Sequence, residues 1–95
     1  MREEKYAAIE KYLSDNIPNK GIEQKNDFEL SAQTFKVHAE KEFLLLKVSE
    51  PFVDDNDIPA IIRQFEKWGL PGFLTKNSKS TVLVGIVDPN SRTVV

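Results

Sequence analysis

The length, charge and lack of cysteine exclude several classes of protein before any motif is considered. The 95 residues, 40% of them hydrophobic, can build a single core, so we expect residues 1–95 to form one domain. A formal net charge of −2 argues against general electrostatic binding to nucleic acid or anionic membrane. Because the sequence contains no cysteine, disulfides, thiolate catalysis and cysteine-bound metals are excluded.

The N-terminal segment predicts an amphipathic helix and not an export signal. Tyr6, Ile9 and Leu13 recur at helical spacing within residues 2–16, and charged residues surround them. The segment lacks the continuous apolar stretch of a signal peptide, and no apolar run in the chain reaches the length of a transmembrane helix. We therefore expect a cytoplasmic protein that does not bind membranes.

Residues 20–39 predict a connection followed by a strand region that the sequence leaves partly open. Residues 20–27 are polar, a pattern typical of a loop. Alternating apolar residues begin on even positions at Phe28 and change to odd positions at Phe35. Since strict alternation cannot change parity within one regular strand, the region is either one strand with a bulge at residues 31–34 or two short strands.

Two further segments predict interior strands. Residues 43–48 are apolar on nearly both sides, as expected of a strand covered on both faces, and residues 40–42 before them predict a hairpin turn. Residues 81–87 form the longest run of β-branched and aliphatic residues and also predict an interior strand. Residues 88–91 predict a β-turn, after which the chain could start a return strand.

The stretch between these strands, residues 52–72, predicts the central helix. One apolar stripe recurs at intervals of three and four and consists of Ile58, Ile61, Ile62, Phe65 and Trp68. Asp55 and Asp57 are candidate N-caps, Gly69 suits the left-handed position after the helix, and Pro71 prevents continuation. The stripe places Trp68 in the core. Residues 73–76 then predict a short strand.

This order of elements predicts an α+β fold. We expect a two-layer α/β sandwich with a mainly antiparallel sheet of four to five strands and two helices, in the order α-β-β-α-β-β. The helix-covered sides of the two interior strands are predicted to carry Leu44, Leu46, Val48, Val82, Val84 and Ile86.

His38 is the single histidine and so the first candidate for acid–base chemistry. If Phe35 and Val37 face the core, His38 shares the solvent side of its strand with Glu40, which could orient the imidazole. No nucleophile motif accompanies this pair, and an exposed strand histidine is the simpler interpretation. We predict no catalytic residues and favour a protein that is not an enzyme.

The acidic residues at positions 54–57 could suggest a Ca²⁺ or Mg²⁺ site. A calcium-binding loop that starts at Asp55 would need glycine at its sixth position, where this chain has Ala60. Capping of the central helix, together with the favourable interaction of carboxylates with a helix N-terminus, explains the acidic residues without a metal. We therefore predict no metal site and no cofactor.

Residues 75–81 combine lysines with hydroxyl side chains and could hold a phosphate or a carboxylate. The candidate ligand-binding residues are Lys76, Ser78, Lys79 and His38. The segment lacks the P-loop pattern, and turns favour such residues in any case. With a cleft near Trp68, these residues support the alternative function, a small-ligand or anion-binding domain or a modest enzyme.

The sides of the interior strands that face away from the helices predict an interaction surface. They carry Phe43, Leu45, Leu83 and Val87. If both helices cover the other face, this apolar patch is exposed and large enough to mark an interface; if the N-terminal helix covers it, the chain is a monomer. We favour a non-enzymatic protein-interaction or regulatory module that forms a homodimer through this sheet face and also binds an unidentified protein. No helix carries a basic recognition face, so nucleic acid is not an expected partner.

Overall fold

The architecture is seen in a computed structural model that describes residues 2–40, 42–76 and 81–85. Within these residues the chain forms four helices and a four-stranded sheet, which confirms the α+β class. In chain order the elements are α1 (Arg2–Asn16), β1 (Gly21–Asp27), β2 (Ala32–His38), β3 (Phe43–Ser49), α2 (Glu50–Asp55), α3 (Ile58–Trp68), α4 (Leu70–Lys76) and β4 (Thr81–Val84). The predicted order α-β-β-α-β-β is not the observed one.

The predicted central helix is α3, and its two ends are set by the residues that the sequence indicated. The Asp57 carboxylate accepts a hydrogen bond from the Ala60 N–H at 2.9 Å, as an N-cap residue does. At the other end Gly69 adopts φ 61° and donates its N–H to the carbonyl of Glu66 at 3.1 Å. Asp55, the other candidate cap, is instead the last residue of α2.

Two short helices flank α3, and the sequence predicted neither of them. In α2 the Ser49 hydroxyl accepts from the Phe52 N–H at 3.2 Å and so caps the helix. The strand predicted at residues 73–76 is wrong, because these residues belong to α4. In α4, Leu70 and Leu74 lie one turn apart and are both buried. The segment is too short for its sequence to show a helical period of apolar residues, and the burial of these two side chains favours the helix.

The described sheet is mixed, with two antiparallel strand pairs and one parallel pair, which fits a mainly but not purely antiparallel sheet. The strands lie in the order β1-β2-β3-β4; β1, β2 and β3 pair antiparallel, while β4 pairs parallel to β3. Parallel neighbours need a long crossover connection, and α2, α3 and α4 lie along the chain between β3 and β4.

Strand β1 occupies the segment that was predicted to be a loop. Apart from Gly21 and half-buried Ile22 its residues are polar, and β1 is largely exposed because it pairs with β2 alone and lies at the edge of the sheet. A strand with little buried surface has no apolar alternation for the sequence to display. Residues 28–31 form the turn from β1 to β2, with Ser31 at φ 48°. Strand β2 is one regular strand from Ala32, so both the bulge at residues 31–34 and the two short strands are wrong; the parity changes because Ala32 and Phe35 are buried on opposite sides of β2.

One face of the sheet, called the inner face below, forms the core with the helices. Buried residues of all four described helices belong to one cluster with this face; the sheet contributes Phe35, Val37, Leu44, Leu46, Val48, Val82 and Val84. Ile9 and Leu13 of α1 are part of it, so α1 packs on the inner face and the competing arrangement with α1 over the opposite face is wrong. The two-layer sandwich as a whole stays a prediction.

Trp68 joins the core from its margin. The indole is half-buried and lies 6.1 Å from the ring of Phe52 and 6.3 Å from the ring of Phe65, measured between centroids. Tyr12 of α1 contacts the same Phe65 ring at 5.7 Å. This aromatic group joins α1, α2 and α3 to one another, in agreement with the helical stripe seen in the sequence.

Candidate functional site

The candidate site is the outer face of the sheet, formed by the strand residues that point away from the inner-face core. The strand register arranges these residues in rows that cross the sheet, because directly paired residues point to the same side. One row contains His38 and Phe43; the next contains Glu23, Lys36, Leu45 and Thr81; the third contains Lys25, Thr34, Lys47 and Leu83. A fourth row pairs Asp27, Ala32 and Ser49.

The most accessible apolar group of this face is Phe43, which is 46% exposed. The Lys36 ammonium lies 4.3 Å from the centroid of the Phe43 ring, a cation–π contact between β2 and β3. Leu45 is half-buried in the adjoining row, directly beside Lys36. Phe43 and Leu45 thus form a small accessible apolar area, with a cation over the more exposed of the two side chains.

Leu83 was predicted to be exposed in this patch, but its side chain is buried. It is only 4% exposed and packs with buried Ala32 and half-buried Leu30. Of the residues predicted to form the patch, Phe43 and Leu45 are therefore the described ones that keep accessible apolar surface. Val87, the fourth residue of the predicted patch, lies outside the described residues.

A paired set of charges occupies the β1 side of the outer face. The Lys47 ammonium donates to the Asp27 carboxylate at 2.6 Å and to the Thr34 hydroxyl at 3.0 Å. The hydrogen bond from Lys47, followed by one from the Leu30 N–H, lowers the pKa of Asp27. A shallow groove beside these residues is edged by Phe28, which is 88% exposed. The sequence pattern assigned Phe28 to the start of a strand and did not indicate that its side chain is exposed.

His38 pairs with a residue other than the predicted Glu40. Its Nε2 lies 3.4 Å from Oε1 of Glu23 on the adjacent strand, and both side chains are exposed, at 39% for His38 and 69% for Glu23. The sequence could not indicate this partner, because Glu23 belongs to the strand that was interpreted as a loop. An exposed pair on an open sheet lacks the enclosed environment that tunes an acid–base catalyst.

Two acidic residues of α2, Glu50 and Asp54, form ion pairs with Arg2. Arg2 donates to both carboxylate oxygens of Asp54 at 2.7 and 2.8 Å and to Glu50 at 2.6 Å. The hydrogen bonds from Arg2 lower the pKa of Asp54. Within the described part of the chain, no group of three or more histidine, cysteine or acidic residues is arranged to hold a metal ion.

The residues of the alternative ligand site are seen only in part. Lys76 is exposed at the end of α4, whereas Ser78 and Lys79 lie outside the described residues. The Trp68 indole, expected to line a cleft, lies against Phe52 and Phe65. Within the described part of the chain, no contact connects Lys76, His38 and Trp68 into one site.

No helix of the described ranges is both long and apolar enough to cross a lipid bilayer. Comparisons of the chain with protein-family models, curated proteins and solved structures find no significant match.

Proposed function

We propose that this chain is a non-enzymatic protein-interaction domain that associates with a second copy of itself through the outer face of its sheet. The observation that carries the proposal is the exposed Phe43, 46% accessible, beside half-buried Leu45 on the face opposite the helix-packed core. A two-fold axis in the plane between two such faces would bury both apolar groups on each copy at once. We also propose that residues 1–95 form one domain with a two-layer α/β sandwich and that the protein is cytoplasmic.

The charges of the outer face support a second copy as the occupant. The face carries lysines at positions 25, 36 and 47 and acidic residues at positions 23 and 27, so two copies do not meet as surfaces of one sign. Lys47 and Asp27 already neutralise each other within one copy. Burying this position in a face-to-face contact therefore does not take an unpaired charge out of water, a step that would oppose association.

The proposal also includes an unidentified protein as a second partner of this domain. The alternative function, a small-ligand or anion-binding domain that uses Lys76, Lys79 and His38, also stays a prediction. Among the described residues, no contact between Lys76 and His38 favours it over the interaction function.

Sedimentation equilibrium of the wild type, Phe43→Lys and Leu45→Lys tests the proposal. A lysine at either position introduces a charge into the centre of the contact, so we expect each variant to have half the mass of the wild-type assembly. The control is Ala7→Lys, which adds the same charge at an exposed position of α1 and should leave the mass unchanged.

Phe43 is the more informative position because it is partly exposed and its replacement leaves the core intact. A wild-type mass equal to that of Phe43→Lys would refute association through the outer face. Circular dichroism of each variant confirms that it is folded, and a folded Phe43→Lys variant is sufficient for the test even if Leu45→Lys unfolds.

A further inference from the structure

The outer edge of β1 is an unpaired sheet edge in the described part of the chain. Strand β1 pairs with β2 on one side only, and its central residues Glu23, Gln24 and Lys25 are all exposed. The backbone N–H and C=O groups along such an edge are available to pair with another strand. The backbone groups of this edge lie in the plane of the sheet, whereas the side chains of Glu23 and Lys25 belong to the β1 margin of the outer face and Phe43 lies on β3.

The sequence of β1 is complementary to itself when two copies run antiparallel. The strand covers Gly21–Asp27, and Gln24 is its middle residue. A two-fold axis at Gln24 and perpendicular to the sheet places each Glu23 opposite Lys25 of the other copy. This occurs twice, on the same side of the joined sheet, because directly opposed residues share a face. All seven residues of the strand then have a partner.

Other registers lack this match. Moving the axis to Glu23 places the two Glu23 carboxylates opposite each other, and moving it to Lys25 opposes two lysines and sets Glu23 against Asp27. Like charges directly opposite destabilise a strand pair. Moving the axis to position 26 also gives a pair of opposite charges, Lys25 and Asp27, but this register pairs only residues 25–27 of the strand. In addition, Asp27 is already bound to Lys47 at 2.6 Å.

Charged residues on an edge strand ordinarily prevent pairing. In β1 the two charges flanking the middle residue have opposite signs and lie symmetrically about it, so in this one register they attract each other. The Glu23 side chain is 69% exposed despite its contact with His38 and is accessible to a second copy. Cross-strand pairs of opposite charge stabilise a sheet and like charges destabilise it, so these pairs select the register while backbone hydrogen bonds supply most of the attraction.

We propose that two copies of this chain join their β1 edges antiparallel about Gln24 and form one continuous eight-stranded sheet from their two four-stranded sheets. The partner is a second copy of the chain, recognised by main-chain pairing and by two reciprocal Glu23–Lys25 pairs. In this arrangement both outer faces lie on the same side of the joined sheet and remain exposed. The edge contact therefore does not depend on the face contact proposed above, and both can exist in one assembly.

The test uses charge reversal in a Phe43→Lys background, which removes the face contact. Phe43→Lys alone is expected to be a dimer held by β1. Adding Glu23→Lys or Lys25→Glu places two like-charged pairs in the contact, and each double variant should sediment as a monomer. Mixing these two double variants in equal amounts restores opposite charges at every pair, and the dimer mass should return. Adding Glu4→Lys, a charge reversal at an exposed α1 position, should leave the dimer unchanged.

Recovery of the dimer on mixing also shows that the two charge variants are folded, because misfolded chains would not regain a specific mass. About 1 M salt should weaken the dimer, because these exposed charges are screened at that concentration. Single variants that keep the dimer mass, or a mixture that stays monomeric, would overturn the edge contact.

The two proposals fail separately. If the face contact is absent, Phe43→Lys has the wild-type mass while the β1 variants still dissociate. If the edge contact is absent, Phe43→Lys alone is already a monomer.

Discussion

At the scale of single residues, Gly85 is the position where the backbone depends most on having no side chain. It adopts φ 71°, and a Cβ atom there would lie 2.5 Å from the Ser49 hydroxyl oxygen and 2.9 Å from Cβ of Phe52. Ser49 caps α2 and Phe52 belongs to the aromatic group around Phe65, so the end of β4 closely approaches the start of the first crossover helix. Gly69 also has a positive φ, of 61°, but open space surrounds its Cβ position.

Gly85→Ala is therefore expected to lower the free energy of unfolding more than Gly69→Ala does. The left-handed conformation alone costs alanine about 1–2 kcal/mol, which is the loss expected at Gly69. At Gly85 the displacement of Ser49 and Phe52 adds about 1–3 kcal/mol. Urea unfolding of both variants measures the difference. Equal losses would mean that the close approach to Ser49 is relieved without cost.

At the scale of elements, two helices of the crossover begin at a polar cap. Ser49 ends β3 and caps α2, and Asp57, the second residue after α2, caps α3. Because each cap supplies an acceptor for a free N–H of the first turn, the chain changes direction without leaving that backbone group unpaired. The caps therefore determine where the crossover helices start and how the chain passes from β3 toward β4.

Asp57→Ala should lower the free energy of unfolding by about 0.5–2 kcal/mol, the usual cost of losing an N-cap. Asp55→Ala is the matched control. Asp55 is exposed at the end of α2, so its loss should change stability by less than about 0.5 kcal/mol. Addition of Ca²⁺ should leave the melting temperature of the wild type unchanged, since the carboxylates act as caps and ion-pair partners. A saturable rise with Ca²⁺, or equal losses in the two variants, would contradict the assignment of Asp57 as the cap.

At the scale of the whole molecule, two groups of ion pairs connect parts of the chain that are distant in sequence. Arg2 of α1 bonds Glu50 and Asp54 of α2, and Lys47 of β3 bonds Asp27 of β1 across the intervening strand. Hydrogen bonds from these cations lower the pKa of both Asp27 and Asp54 in the folded protein. A carboxylate with a lowered pKa stabilises the fold above the ordinary aspartate value, and this contribution disappears as pH falls through the lowered value.

The free energy of unfolding should consequently fall as the pH is lowered below about 4, where unfolded aspartates take up protons before the folded ones do. Asp27→Asn and Asp54→Asn should each be less stable than the wild type near neutral pH and should each reduce the slope of stability against pH in this acid range. Urea unfolding at a series of pH values measures both quantities. Slopes identical to that of the wild type would show that these two carboxylates do not contribute to acid unfolding.

Local features of the sequence were enough to establish α3, its end at Gly69, and the inner-face residues of β3 and of the described β4 residues, whereas they left Asp55 and Asp57 both open as its N-cap. Each established feature depends on groups within a few residues of one another, either a glycine that ends its helix or an apolar period long enough to be recognised. The sequence also identified Phe43 and Leu45 as outer-face residues, because alternation along β3 assigns them to the side away from the core.

Tertiary structure alone decided the features that depend on neighbours distant in the chain. Strand β1 has no apolar alternation because it lies at an edge, and α4 is helical because Leu70 and Leu74 are buried together in the core. The pairing of His38 with Glu23 depends on the β1–β2 register, and the burial of Leu83 depends on packing with Ala32 and Leu30. These features arise from contacts between separate segments, and a residue pattern within one segment does not specify which other segment will cover it.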